Sequence, residues 1–175
     1  MRTILASLAL ILAPTLAFAA PPEKYYYLGE VKLSNGAGKP MGSQVILVEK
    51  THDRDNSVIL ERAIVVHPDG KVEERAMRMP VKDDNTFTLF DDAKTVEGTG
   101  TLFGPAWKWT YFKATFKTNN GVTIDDENYM ADESIGTARK KVTAPNGQVV
   151  MYMDMSLKAV SPATFEILRA GLLKK

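Results

Sequence analysis

Residues 148–157 read QVVMYMDMSL, and this stretch is the clearest strand signal in the chain. Side chains alternate between the two faces of a strand, so Met151, Met153 and Met155 share one face with Val149 and Leu157. That face is a continuous stripe of sulfur and hydrocarbon. Such a stripe is typical of a packed core, of the wall of a pocket for an apolar ligand, or of a site for a soft metal ion.

The turn before this strand predicts its register. Asn146-Gly147 is a favoured two-residue hairpin turn, because both residues tolerate positive φ angles. The predicted neighbours across the hairpin are Met151 with Val142, Met153 with Lys140, Met155 with Ala138, and Asp154 with Arg139. The methionines then face inward and the Asp154–Arg139 pair faces outward. A slip of one residue would reverse both assignments.

The rest of the chain is also rich in strand signals. Pro68-Asp69-Gly70, Asp83-Asp84-Asn85 and Asn119-Asn120-Gly121 are further turn signals between short alternating runs. The candidate strands are Tyr25–Leu33, Gln44–Lys50, Val58–His67, Lys71–Val81, Thr86–Phe90, Thr95–Phe103, Trp107–Thr118, Val122–Ala131, Ile135–Thr143 and Gln148–Val160. We therefore expect an all-β fold, a single antiparallel up-and-down barrel of about eight to ten strands, with a sandwich as the alternative.

The C-terminal segment changes to a helical pattern. Ser161 is a suitable N-cap, and Pro162 fits the first turn of a helix. Phe165, Leu168 and Leu172 recur at helical spacing. This pattern predicts one short amphipathic helix that lies on the sheet or closes one end of the barrel.

The N-terminus has the pattern of a cleavable export signal. Arg2 precedes the apolar stretch Ile4–Leu16, and Ala17-Phe18-Ala19 is an A-x-A cleavage site. We expect residues 1–19 to be removed and residues 20–175 to form one domain in the periplasm or outside the cell. The chain has no cysteine, so neither a lipid anchor at the cleavage site nor a disulfide is expected.

Composition restricts the partners and the chemistry. With 22 basic and 21 acidic residues, the chain is near neutral, which argues against nucleic acid as a partner. No later stretch has the length of a transmembrane helix. No catalytic or cofactor-binding motif is present, so we expect no enzymatic activity and no cofactor. Two histidines, His52 and His67, are the only imidazoles.

Further residues complete the candidate ligand site. Trp107 and Trp109 lie on one face of a predicted long strand, where they would line an apolar cavity or pack in the core. Met77 extends the methionine stripe. In one register Arg62 opposes Met77 and would hold a carboxylate inside the barrel; the alternative for Arg62 is a solvent-facing charge. Lys140 is the other candidate anchor, either inside the barrel or directed to its rim.

An acidic group surrounds Tyr129. Its members are Asp125, Asp126, Glu127, Asp132 and Glu133. They lack the spacing and the turn glycine of a calcium loop. We interpret them as a solvated acidic rim.

Part of the sequence is similar to a known group of proteins. The meander of short strands followed by a helix resembles the calycin architecture of lipocalins and fatty-acid-binding proteins. Gly98–Phe116 (GTGTLFGPAWKWTYFKATF), Asn128-Tyr129-Met130 and Asp132 resemble an uncharacterised group of exported bacterial lipocalin-like proteins. The G-x-W signature of true lipocalins is missing, and Gly29-Glu30-Val31 stands in its place. The resemblance implies a ligand-enclosing barrel but assigns no role to any residue.

These observations lead to one functional hypothesis and its rivals. We expect non-covalent binding of a small hydrophobic ligand, such as a fatty acid or lipid fragment, by Met77, the three methionines of 151–155, Trp107 and Trp109, with Arg62 or Lys140 as anchor. One alternative is a periplasmic copper-binding protein that uses the Met-x-Met-x-Met sequence. Another is an envelope protein-interaction module that docks a partner through its aromatic strand and binds no ligand.

Overall fold

Ten strands and one helix follow one another along the described chain. The structure is a computed structural model that describes residues 23–105, 107–132 and 134–173. Its elements are β1 (Glu23–Asn35), β2 (Pro40–Asp53), β3 (Val58–Val66), β4 (Val72–Pro80), β5 (Thr86–Asp91), β6 (Val96–Phe103), β7 (Tyr111–Thr118), β8 (Thr123–Asp132), β9 (Ile135–Thr143), β10 (Val149–Ala159) and α1 (Pro162–Leu173). The predicted signal segment, residues 1–19, lies outside the described residues.

The strands form a closed antiparallel barrel. Each strand pairs with its neighbours in sequence, and β1 pairs with both β2 and β10. Closure satisfies the backbone groups that an open sheet would leave at its two edges. The predicted all-β fold is confirmed as a barrel of ten strands with a C-terminal helix. Within the described ranges, no helix is long and apolar enough to cross a bilayer.

The predicted strand pairing between β9 and β10 is confirmed, but the turn is one residue longer than predicted. Ala144 donates its N–H to the carbonyl of Gln148 at 2.8 Å, so residues 145–147 form a three-residue turn, and a bulge between Val149 and Met151 restores the predicted register. Gly147 has a φ of +84° and donates its N–H to the carbonyl of Ala144 at 2.9 Å. Across the hairpin, Met153 lies opposite Lys140. The other three predicted pairs are also present. Met153 and Met155 pack against the inner core of the barrel, whereas Asp154 and Arg139 form an outward ion pair at 3.3 Å.

The inner core has two parts. One part surrounds Tyr27 and Val31 of β1 and includes Met153 and Met155. The other surrounds Phe87, which is 2% exposed. Phe87 lies against Gly100 so closely that a Cβ at Gly100 would be 2.3 Å from its Cζ. This second part supports the end of the barrel where the cavity described below opens.

Helix α1 packs on the outside of the barrel, so the predicted position on the sheet is confirmed. The backbone N–H of Thr164 donates to Ser161 Oγ at 3.1 Å, which caps the helix as expected. Phe165 contacts Leu47 and Ile64 on the outer face of β2 and β3. This contact explains why both faces of β2 are apolar near Leu47.

The docking of α1 can be tested at Phe165. Phe165→Ala removes a ring that is 2% exposed, and we expect a loss of about 3 kcal/mol in the free energy of unfolding, measured with urea. Ile167→Ala is the matched control on the same helix, since Ile167 is 73% exposed and should change stability by less than about 0.5 kcal/mol. Equal effects of the two substitutions would contradict the docked position of α1.

Candidate functional site: an aromatic cavity at one end of the barrel

A cavity of about 170 Å³ lies at the end of the barrel that carries the β2–β3 and β6–β7 connections. Side chains from eight strands, β1 to β8, line it together with the β6–β7 loop. The lining residues are Tyr25, Tyr27, Lys50, His52, Ile59, Met79, Phe87, Leu102, Trp107, Lys108, Trp109, Thr110, Phe112 and Met130. Lys108 and Thr110 are exposed, so the cavity reaches solvent at this loop.

The two tryptophans stand in a loop and not in a strand. The sequence predicted a strand over Trp107–Thr118, but β7 begins only at Tyr111. Gly104, with a φ of +117°, and Pro105 interrupt the alternation between β6 and β7. Consequently Trp107 and Trp109 turn into the barrel mouth, whereas Tyr111 stacks on Tyr129 on the outer wall with ring centres 4.5 Å apart.

Hydrogen bonds hold this loop against the barrel. The N–H of Thr110 donates to the carbonyl of Phe103 at 3.0 Å, and the N–H of Met130 donates to the carbonyl of Thr110 at 2.8 Å. The indole Nε1 of Trp109 donates to Asn85 Oδ1 at 3.2 Å. The polar edge of Trp109 is therefore satisfied, and the rest of its ring is left for apolar contact.

Trp107 has a strained backbone. Its φ is +61°, in the left-handed region that bulky residues rarely adopt and that costs about 1–3 kcal/mol. The ring lies 5.0 Å from Trp109 and 6.0 Å from His52, measured between centroids. Packing of the ring over the cavity thus offsets the cost of the backbone.

His52 is the polar side chain at the centre of these rings. Its imidazole lies 5.0 Å from Tyr25 and 6.1 Å from Trp109. Its Nδ1 is buried and has no hydrogen-bond partner among the described residues. Burial, helped by the positive charge of Lys50, lowers the pKa of His52 to about 4, so the ring is neutral at pH 7. Buried polar atoms in native proteins nearly always have a hydrogen-bond partner, so this nitrogen is free to form one hydrogen bond within the cavity.

Lys50 brings a positive charge to the cavity wall. Its Nζ lies 3.4 Å from Glu61 Oε2 and 5.7 Å from the ring centre of Phe112, and its side chain is only 16% exposed. Lys50 and Lys108 are the charged residues of the lining, and the described lining contains no carboxylate. The cavity is therefore apolar with a basic bias.

A buried ion pair lies deeper in the barrel. Lys140 Nζ contacts Asp126 Oδ2 at 2.8 Å, and Asn128 donates to Asp126 Oδ1 at 2.6 Å. Burial alone would lower the pKa of Lys140, but the charges of Asp126 and Glu61 and the hydrogen bond to Asp126 outweigh it and raise that pKa. Of the two predicted positions for Lys140, inside the barrel or directed to its rim, the first is correct. Lys140 does not line the cavity, however.

The interpretation of the acidic group as a solvated rim is wrong for Asp126, which is 4% exposed. Strand alternation explains the difference, because β8 turns Asp126 inward while Asp125 and Glu127 form outward pairs with Lys141 and Lys113. Glu133 and the side chain of Asp132 lie outside the described residues.

The structure separates the other predicted lining residues. Trp107 and Trp109 line the cavity. Met153 and Met155 face inward with Met151 but pack in the first part of the core, away from the cavity lining. Met77 packs against the second part of the core and is also absent from the lining.

Arg62 does not occupy the interior. It pairs with Ala76 and Glu49 across its neighbouring strands, while Glu61 takes the place opposite Met77. The register that set Arg62 against Met77 is wrong by one residue, so Arg62 lies on the outer face near Phe165 and Arg169. An internal carboxylate anchor at Arg62 is therefore excluded, and the solvent-facing alternative is correct.

Sequence reasoning missed His52 and Lys50 as site residues. The signal was present, because Ile46, Val48, Lys50 and His52 alternate on one face of β2. Leu47 obscured this alternation. It lies on the opposite face of β2, where α1 buries it, so both faces of the strand contain apolar residues.

The methionine stripe does not gain metal ligands from its surroundings. Met153 lies directly opposite Lys140, whose ammonium would repel a copper ion. Among the described residues, histidine, aspartate and glutamate form no group of three or more suited to a metal ion.

Comparisons with known proteins bear on the fold alone. No protein-family model matches the chain, and no curated protein matches it significantly. Among solved structures, the S-type phycobiliprotein lyase CPES from Guillardia theta superposes with a TM-score of 0.56 at 9% identity, over 78% of this chain and 87% of that one. A protein of unknown function from Bacteroides ovatus is 13% identical and covers 79% of this chain and 41% of its own, with a TM-score of 0.35. The first likeness supports a lipocalin-like barrel as the fold and shows no sequence family.

The buried ion pair can be tested by removing one partner. Lys140→Met should lower the free energy of unfolding by about 3 kcal/mol, because it leaves the carboxylate of Asp126 buried and unpaired. The double variant with Asp126→Asn should recover most of that loss. Arg139→Met is the control: its pair with Asp154 is 67% and 55% exposed and should be worth less than about 1 kcal/mol. Equal losses from Lys140→Met and Arg139→Met would contradict the buried pair.

The pKa of His52 can be followed by proton NMR and by acid unfolding. A folded pKa of about 4, below the ordinary 6.5, means that the unfolded chain binds the proton more readily. The contribution of His52 is present above pH 6.5 and is lost as the pH falls through 4. Between pH 7 and pH 4 the wild type should therefore lose on the order of 2 kcal/mol more stability than His52→Gln. A His52 resonance that titrates near pH 6.5 would contradict its burial in the cavity.

Proposed function

We propose that this protein is an exported binding protein for a small hydrophobic ligand, held in the aromatic cavity at the barrel mouth. The observation that carries the proposal is the cavity itself, where Tyr25, Trp107 and Trp109 surround the imidazole of His52, whose Nδ1 has no hydrogen-bond partner among the described residues. Few convergent polar groups in an apolar cavity are the usual composition of a small-molecule site. Export is part of the proposal and rests on the sequence of residues 1–19.

The size of the cavity limits the ligand. At about 170 Å³, it exceeds an apolar cavity of about 150 Å³ that holds benzene, and it is smaller than the roughly 300 Å³ at which pockets for drug-sized molecules begin. A compound of one or two rings fits within it. A fatty acid or lipid fragment would place only one end inside, with the remainder leaving past Lys108 and Thr110.

We propose binding without chemical change. The solved lyase shares the barrel, but an identity of 9% does not bring its activity to this chain. Within the described lining, His52 has a pKa of about 4 and no carboxylate partner, so the cavity lacks a paired acid and base that would work near neutral pH.

A second candidate function is docking of a partner protein through the outer wall. Phe103 and Tyr129 are exposed and lie on either side of the half-buried Tyr111, with ring centres 5.1 Å and 4.5 Å from it. Tyr111→Ser with Tyr129→Ser would disrupt these ring contacts without touching the cavity. Ligand binding that survives these changes, together with the loss of a co-purifying envelope protein, would favour the interaction module.

The binding proposal is tested by calorimetric titration with 2-naphthalenemethanol, a neutral two-ring probe. We expect micromolar affinity and a change in tryptophan emission, because both tryptophans of the chain line the cavity. Ile59→Trp fills the cavity and should weaken binding at least tenfold. Met151→Leu is the matched control: it conserves volume, lies outside the lining and should leave the affinity unchanged.

Two results would contradict this proposal. One is the absence of binding by the folded wild-type protein, combined with native mass spectra that show no retained small molecule after gentle purification. The other is binding that Ile59→Trp leaves intact and Met151→Leu abolishes, since this would move the site to the methionine stripe.

A further inference from the structure

We propose that the ligand of this cavity is a small aromatic carboxylate, with its rings among the tryptophans and its acid group between Lys50 and His52. This inference rests on the proposed function and specifies the class of ligand. It goes beyond hydrophobic binding, because a neutral apolar ligand would form no ion pair with Lys50 and no hydrogen bond with Nδ1 of His52.

The charge of the lining favours an anion. Its charged side chains, Lys50 and Lys108, are both basic, and the described lining contains no acidic residue. Lys108 is exposed at the mouth and Lys50 lies in the wall. An anionic ligand thus meets one positive charge on entry and a second, less hydrated one inside, where the lower dielectric strengthens the attraction.

Lys50 has capacity for a further partner. An ammonium group carries three donors, and among the described residues its ion-pair partner is Glu61, at 3.4 Å. That distance is long for a charge-assisted hydrogen bond, whereas Lys140 and Asp126 approach to 2.8 Å. Lys140 is therefore committed to its carboxylate, and Lys50 is the interior cation that can bind a second one.

His52 supplies the second contact. Lys50 and His52 are two residues apart on β2, so both side chains leave the same face of the strand. A neutral imidazole with its proton on Nδ1 donates a hydrogen bond, and Nδ1 is the atom without a partner. One carboxylate can accept from both groups, because it has two oxygens.

The rings around these groups define the remainder of the ligand. His52 is surrounded by Tyr25, Trp107 and Trp109 at centroid distances of 5.0–6.1 Å, and Phe112 lies beneath Lys50. Flat aromatic groups stack or pack edge to face at these separations. A flexible alkyl chain would gain the apolar contact but not the ring geometry.

The test compares two probes of the same shape and different charge. Calorimetric titrations with 2-naphthoate and 2-naphthamide at pH 7 should give at least tenfold tighter binding of the acid to the wild-type protein. Lys50→Met should reduce this preference to less than threefold. Lys32→Met, which removes one positive charge from the outer face of β1, is the control and should keep the preference.

The outcomes separate this inference from the function on which it rests. Equal affinity of the two probes for the wild type would overturn the carboxylate assignment and leave hydrophobic binding intact. Binding of neither probe would overturn both. A preference that persists in Lys50→Met would overturn the role of Lys50. Should Lys50→Met fail to fold because Glu61 is left unpaired, the double variant with Glu61→Gln carries the same comparison.

Discussion

Closure of the barrel through β1 is the constraint on which the rest of the structure depends. β1 pairs along its length with β2 on one side and β10 on the other, so no strand keeps a fully open edge. The approach to β10 is tight: a Cβ at Gly29 would lie 2.4 Å from the carbonyl oxygen of Ser156. About eight strands already enclose an interior just wide enough for side chains to fill. Ten strands therefore need large residues inside, or they leave a void.

This barrel uses both solutions. Methionines and the buried pair of Lys140 with Asp126 occupy the interior away from the mouth, and the mouth itself keeps a cavity of about 170 Å³. A buried ion pair is weak evidence for stability, because desolvation offsets most of the attraction. Its effect here is positional: Lys140 is held by Asp126, which leaves Lys50 as the interior cation nearest the cavity. The ion pair inside the barrel thus determines which lysine, Lys50, is available at the cavity.

The sequence predicted what local chemistry controls. The signal at Asn146-Gly147 located the β9–β10 hairpin, and the pairing of Met153 with Lys140 is as predicted although a three-residue turn and a bulge produce it. Ser161 and Phe165 predicted the helix and its buried side. It did not settle the pairing across a turn of uncertain length. One of the two alternatives for Arg62 was one residue out of register, because the β3–β4 connection allows several loop lengths and strand alternation then exchanges the faces. A ligand cavity lined by Trp107 and Trp109 was predicted, but its position at the mouth was missed, since no local pattern shows that residues 107–110 leave the wall and fold over the end of the barrel.

The irregular features of the chain are concentrated at this end. Trp107 has a left-handed backbone, His52 has a buried Nδ1 with no partner in the described part of the chain, and Lys50 has its counter-ion at 3.4 Å. Each costs free energy, and a core optimised for stability alone would remove all three by ordinary substitutions. The same three residues line one cavity of about 170 Å³. The proposed aromatic carboxylate would pack against Trp107 and accept hydrogen bonds from the ammonium of Lys50 and from Nδ1 of His52. The strained backbone of Trp107, the buried Nδ1 of His52 and the long ion pair of Lys50 thus occur at one cavity. A binding site explains their common location better than three independent packing defects do.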